Sequence, residues 1–121
     1  MNPPPLTPMA NTPLLVLTNL PDPDTARTLA AHLVEHGLAA CVNILPACRS
    51  VYRWQGQLEE ASETPLFIKT TAARYDALET AIRQQHPYEL PEIIAVPIVA
   101  GLPAYLTWIA TETASPAPTP P

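Results

Sequence analysis

The sequence predicts a single α+β domain whose elements follow the order β-α-β-β-α-β, with a short helix at the end. One observation is a long segment, from about Cys41 to Thr70, in which two strand patterns flank a turn signal at Gln55-Gly56. The other is that an apolar strand pattern and an amphipathic helix pattern stand before this hairpin, and the reverse pair stands after it. The length of 121 residues leaves room for one domain.

The first strand and the first helix adjoin. Leu14–Leu20 is a largely apolar run of strand length, which is typical of a central strand. Asp22 can cap the helix that follows, Pro23 suits its first position, and Gly37 is its natural end. The helical spacing predicts a buried face made of Ala26, Leu29, Ala30, Leu33 and Val34.

The second helix is predicted to open at Thr70 or Thr71, with Tyr75, Leu78 and Ile82 on its inner side. His86-Pro87 ends it, because the residue before a proline is pushed out of the helical region.

The last strand is predicted over Glu92–Val99, and Pro97 indicates that this strand lies at an edge or carries a bulge. Pro103 begins a short C-terminal helix, which we expect to turn Tyr105, Trp108 and Ile109 inward.

This order of elements is that of the ferredoxin-like fold, a four-stranded antiparallel sheet with both main helices on one face. In such a fold the other face of the sheet and its edge strands are left exposed to solvent. The long hairpin with its aromatic residues can bury them in a neighbouring subunit, so we expect an oligomer. The domain is predicted to span residues 13–113. Proline-rich flexible tails are predicted at residues 1–12 and 114–121.

Composition argues against several classes of protein. The net charge of −5 and the six scattered basic residues are unlike a nucleic-acid-binding protein. No apolar run reaches about 18 residues, so we expect no membrane span. The N-terminus lacks the pattern of a secretory signal, so we expect a cytosolic protein, with Cys41 and Cys48 not joined in a structural disulfide.

Five segments in a fixed order resemble one family. They are Leu38-Ala39-Ala40-Cys41-Val42-Asn43, Ser50-x-Tyr52-x-Trp54-x-Gly56, Glu63 with Ile68-Lys69-Thr70, His86-Pro87-Tyr88-Glu89-x-Pro91-Glu92-Ile93, and Gly101-x-x-x-Tyr105-Leu106-x-Trp108-Ile109. With the flanking elements, they make the chain similar to the CutA family of divalent-cation tolerance proteins from about Leu14 to Ile109. Gln57 and Pro65 depart from the family pattern, and Pro65 is expected to interrupt its strand.

The resemblance implies a tight homotrimer with an architecture like that of the PII-type signalling proteins. It also implies a non-catalytic protein that binds copper or another divalent cation and acts in metal tolerance. The alternative is a PII-like regulatory module that binds a small anionic ligand at clefts between subunits and reports it to a protein partner. An enzyme using His86 and Glu92 as acid–base groups is a third possibility, which the spacing of residues does not favour.

Cys41 is the strongest single candidate for a metal ligand, because a thiolate suits copper and other soft cations. A free cysteine in a strand is otherwise a small buried hydrophobic residue, and that alternative stays open. The other predicted metal ligands are His86, Glu63 and Glu92.

The resemblance places Lys69, Tyr88 and Glu89 beside those ligands at clefts between subunits. A network of salt bridges that fixes the trimer would account for the same residues. Tyr52, Trp54 and Trp108 are predicted at the trimer interface, where aromatic side chains are common.

His32 and His36 are four residues apart, which places them on one face of the first helix, at a spacing that metal sites use. They lie away from the predicted buried stripe. We therefore expect them to face solvent, where any metal would bind adventitiously.

Overall fold

The computed structural model describes residues 8–114. In these residues five strands form one sheet, and three helices pack on its two faces. The elements are β1 Pro13–Leu20, α1 Pro23–Glu35, β2 Cys41–Ile44, β3 Cys48–Trp54, β4 Gln57–Thr71, α2 Tyr75–Gln85, β5 Ile93–Pro97 and α3 Pro103–Glu112. A single 3-10 turn at Ala72–Arg74 precedes α2. The predicted α+β fold and its order of elements are confirmed, except that the first arm of the hairpin is two strands, β2 and β3.

All strand pairs are antiparallel, and the long strand β4 organises them. It pairs with β1 on one side and with β2 and then β3 on the other, while β5 pairs with the far side of β1. The sheet therefore has five strands rather than the four predicted, because the 15 residues of β4 are enough for two successive partners. β1 is central and β5, which ends at Pro97, lies at the edge, as the sequence predicts.

The turn of the hairpin is the one that its sequence predicts. Trp54 pairs with Gln57, which leaves Gln55 and Gly56 as a two-residue loop. Both loop residues have positive φ, 50° and 80° respectively. Two positive φ angles match the right-handed twist of the flanking strands, and this favours a tight hairpin.

Pro65 does not interrupt β4, so that expectation is wrong. Its carbonyl accepts a hydrogen bond of 2.9 Å from the Leu45 N–H. In an antiparallel ladder the nitrogen of a residue points to the same neighbour as its carbonyl, so the missing N–H also faces this side. On this side β4 stops pairing with β2 after Leu66 and starts pairing with β3 at Glu63. Pro65 faces the gap between the two partners, so its missing N–H removes no hydrogen bond that the sheet needs.

The core lies between one face of the sheet and the two main helices. Alternate residues of β1 and β4 point into it, and α1 and α2 supply the opposite layer.

α1 begins as predicted, since Asp22 accepts a hydrogen bond of 2.8 Å from the Thr25 N–H, and Gly37 with φ 65° follows its end. Val34 is 45% exposed, so its predicted burial is wrong: it lies about 100° around the helix from Leu33, beyond the edge of the buried stripe.

α3 contacts β1 and β4, and its Tyr105 lies beside Cys41 on the face opposite to the main helices. Ile109 is fully buried there, but Tyr105 and Trp108 are 39% and 41% exposed, so their predicted inward orientation is wrong. The apolar residues of α3 lie around much of the helix, and the sheet covers only the side that carries Ile109.

The ends of the chain lie partly outside the described residues, which exclude 1–7 and 115–121 of the predicted tails. Within residues 8–12, the carbonyls of Ala10 and Thr12 accept hydrogen bonds of 2.9 Å from Ala73 and Ala72. This stretch is thereby joined to the 3-10 turn. None of the helices described is long and apolar enough to cross a membrane.

Candidate functional site

Two of the predicted site residues, Glu63 and Lys69, mark opposite ends of a segment of β4. Their side chains alternate with the buried Thr64, Leu66, Ile68 and Thr70. The two therefore share the same face of the strand, as their spacing predicts. Six residues of strand separate their Cα atoms by roughly 20 Å, so each belongs to a different cluster.

The first cluster surrounds His86, the residue that ends α2. Its backbone is extended, as expected before Pro87, and its ring is only 8% exposed. The Nε2 atom lies 2.7 Å from the carbonyl oxygen of Asn19, and Nδ1 lies 3.2 Å from the Tyr88 N–H. A carbonyl can only accept, so Nε2–H donates to Asn19 while Nδ1 accepts from Tyr88. His86 is therefore a neutral imidazole with both ring nitrogens engaged.

Glu63 and Tyr88 complete this cluster. The ring of Tyr88 lies 4.8 Å from that of His86. Burial raises the pKa of Tyr88 to about 12, and the charge of Glu63 and a hydrogen bond to it act in the same direction. Burial lowers the pKa of His86, although the Asn19 carbonyl and the charge of Glu63 oppose this. The neutral ring is thus favoured at neutral pH.

The second cluster surrounds Cys41, on the face of the sheet that α3 covers. Cys41 pairs with Lys69 across β2 and β4, and Lys69 Nζ donates to the side-chain oxygen of Asn43. The hydroxyl of Tyr105 lies beside the thiol. Burial, and then the neighbouring Cys41, raise the pKa of Tyr105. The half-buried thiol therefore has a phenol beside it, and the Lys69–Asn43 pair lies on the same face of the sheet.

The remaining predicted residues lie on exposed surface. Glu92 precedes β5, and Glu89 lines a shallow pocket of about 320 Å³ together with Arg83 and Tyr88. The aromatic residues predicted at the trimer interface are half-buried to exposed in the single chain: Tyr52, Trp54 and Trp108.

The four predicted metal ligands do not share one site within a chain. Glu63 and His86 belong to the first cluster, Cys41 to the second, and Glu92 to neither. Between residues 8 and 114, no group of three His, Cys, Asp or Glu side chains is placed to hold a metal. The thiol and imidazole donors suit a soft or borderline cation. However, both nitrogens of His86 are engaged, and one chain does not bring the four predicted ligands together.

Three partners in these clusters were missed in the sequence: the Asn19 carbonyl, Asn43 and Tyr105 as a neighbour of Cys41. The Asn43–Lys69 contact could have been found from strand register, because Asn43 is two residues along β2 from Cys41, on the same face. The Asn19 contact joins residues 67 positions apart, and no local pattern indicates it.

The comparisons with known proteins agree on one family. A family model described as CutA1 divalent ion tolerance protein matches residues 14–112. The chain is 46% identical over 99 residues to the divalent-cation tolerance protein CutA of Thermus thermophilus, which covers 82% of this chain and 96% of that protein.

Solved structures are similar as well. The divalent cation tolerance protein (Cut A1) of T. thermophilus has a TM-score of 0.83 at 44% identity, covering 84% of this chain and 99% of that one. A protein from Archaeoglobus fulgidus described as the periplasmic divalent cation tolerance protein CutA has a TM-score of 0.81 at 32% identity, covering 84% and 98%. The chain therefore belongs to the CutA1 divalent ion tolerance protein family.

Proposed function

We propose that this member of the family is a cytosolic homotrimer that binds a divalent cation, with copper as the cation, and acts in metal tolerance without catalysis. The observation that carries the proposal is the half-buried, unbridged Cys41 thiol. It is a soft donor on a face of the sheet that one short helix covers only in part, and soft donors select copper.

The cation would be held between subunits, by Cys41, Glu63, His86 and Glu92 from more than one chain. Two features support this arrangement. The donors within one chain are too far apart to form one site, and Glu63 already stands beside His86. A metal would have to displace the Tyr88 N–H from Nδ1 of His86. Lys69, Tyr88 and Glu89 would flank this cleft.

Self-association is supported by the apolar surface of the single chain. Val51, Leu58, Val99 and Leu102 are 63% to 93% exposed, and the edge strand β5 exposes Ile94 and Val96. Ile94 and Val96 share one face of this strand, and an open edge strand invites pairing with another chain. Tyr52, Trp54 and Trp108 would be the aromatic anchors of the trimer contact.

A second candidate is the PII-like regulatory module, and the state of His86 favours it. A histidine whose two nitrogens are engaged is a structural linker rather than a ready ligand. The pocket beside Tyr88 contains Arg83, which could receive a small anion, and a protein partner would then recognise the occupied state.

Native mass spectrometry of the metal-free protein, titrated with copper and zinc, tests the proposal. We expect a trimer whose copper uptake falls by one ion per chain in Cys41→Ser. Cys48→Ser is the matched control, because Cys48 is also unbridged and half-buried. Unchanged copper affinity in Cys41→Ser would exclude Cys41 from the site. Weak, non-saturating uptake would favour the regulatory module, and cell fractionation tests the cytosolic location.

A further inference from the structure

We propose that His32 and His36 form a separate divalent-cation site at the C-terminal end of α1, with one ion per chain. The site would use two imidazole nitrogens and would not require Cys41, His86 or a second subunit. It is independent of the function proposed above, because none of its ligands belongs to either cluster on β4.

The two rings are already positioned for a chelate. His32 is in the last turn of α1, and His36 caps the helix four residues later. Their ring centroids are 4.1 Å apart, with the ring planes inclined at 32°. Two imidazole nitrogens bound at about 2.0–2.1 Å to one cation, at right angles, would hold their ring centres roughly 4.5 Å apart. The observed separation of the ring centres is within about 0.5 Å of that value.

One hydrogen bond selects the tautomer that a metal needs. Nδ1 of His36 lies 2.9 Å from the carbonyl oxygen of His32, and since a carbonyl only accepts, Nδ1 carries the proton. The lone pair of His36 is therefore on Nε2, away from the helix. Metal-binding histidines commonly donate their second N–H to a carbonyl in this way, which fixes the ring and increases its basicity.

The charge around the pair also favours a cation. The helix ends at this point, so its last carbonyls give the site a partial negative charge. The carboxylate of the exposed Glu35 is next in sequence to His36. The only Arg or Lys of α1, Arg27, is near the other end of the helix and is paired with Asp24 at 2.9 Å.

The ligand type defines the cation. Imidazole nitrogen suits zinc, nickel and copper rather than magnesium or calcium, and copper should bind most tightly of these. Two protein ligands leave the other positions of the ion to water. The site would therefore exchange its cation readily, unlike one enclosed between subunits.

Calorimetric titration of the full-length, metal-free protein with Cu²⁺ tests the site. We expect His32→Gln and His36→Gln each to weaken one class of sites, equal to one ion per chain, by about 100-fold, since either loss leaves a single attachment point. Thr28→Ala, at an exposed position one turn earlier in α1, is the control and should retain this class. Cys41→Ser should retain it as well. Copper binding that is unchanged in both histidine variants would overturn the proposal.

Nitrogen-15 NMR of the imidazoles provides a second measurement, because the chain contains only three histidines. We expect His36 as the Nδ1–H tautomer before metal is added, and a shift of the Nε2 signals of His32 and His36 on addition of Zn²⁺. If these signals do not move at several equivalents of zinc, the site does not exist. The His86 signals report separately on the function proposed above, so the two hypotheses can fail independently.

Discussion

His86 and the His32–His36 pair show how burial changes the use of the same side chain. His86 is buried, and both of its nitrogens connect backbone groups, the Asn19 carbonyl and the Tyr88 N–H. His36 is exposed, and one nitrogen is engaged by the helix while the other faces solvent. The first arrangement stabilises the fold, and the second leaves a lone pair available. That both residues are histidines does not by itself show which of them has a structural role and which can bind a ligand.

The largest expected difference between the two regions is in stability. His86→Ala should lower the free energy of unfolding by about 2–4 kcal/mol, because it leaves a cavity and two partly buried backbone groups without their partner. His36→Ala should change it by less than about 0.5 kcal/mol, as is usual for exposed positions. Urea unfolding of both variants in metal-free buffer measures this. Equal effects would show that His86 does not connect these elements as described.

A pair of buried threonines on the core face sharpens the comparison. Thr18 and Thr70 are both fully buried; Thr70 donates a hydrogen bond of 2.7 Å to the Leu38 carbonyl. Within residues 8–114, the Thr18 hydroxyl has no hydrogen-bond partner. Thr70→Val should therefore destabilise the protein by about 1–2 kcal/mol, whereas Thr18→Val should be neutral or stabilise it by up to about 1 kcal/mol.

Thermal unfolding of these two valine variants tests the assignment, since each is the control for the other in volume and shape. A loss of stability in Thr18→Val as large as that in Thr70→Val would mean that the Thr18 hydroxyl has a partner in the folded protein.

Much of the fold could be predicted because its signals are local. Asp22 and Gly37 bound α1, and Gln55-Gly56 sets the hairpin turn, each through backbone geometry that a few neighbouring residues determine. The error at Pro65 arose because pairing between distant residues decides the outcome there. Pro65 is tolerated because residues 45–47, twenty positions earlier, open a gap opposite it.

The sequence predicted the members of the His86 cluster but not their arrangement, and their role as a site stays a prediction. The family segments identified Glu63, His86 and Tyr88, and the structure brings these three together. Their spacing gave no indication that both nitrogens of His86 are engaged, because the Asn19 carbonyl comes from the end of β1. In the proposed trimer, the set of donors that meet across subunits would depend on contacts between chains, and the pattern of one chain does not contain that information.

The smallest expected effect is a dependence of stability on pH that comes from the buried His86. Burial lowers the pKa of His86 in the folded protein below its ordinary value of 6.5. As the pH falls below about 6.5, the His86 imidazole therefore takes up a proton in the unfolded chain before it does so in the folded chain. The free energy of unfolding falls until the pH passes below the pKa of His86 in the folded protein. The effect is modest because the Asn19 carbonyl and the charge of Glu63 partly oppose the shift.

Urea unfolding in chelator-treated buffers between about pH 7.5 and 5.5 should show this loss in the wild-type protein. His86→Gln should flatten that part of the profile. Glu63→Gln should steepen it, because the carboxylate that favours the protonated ring is gone. If His86→Gln kept the wild-type profile, the acid sensitivity would belong to other groups, and His86 would not be held neutral by burial.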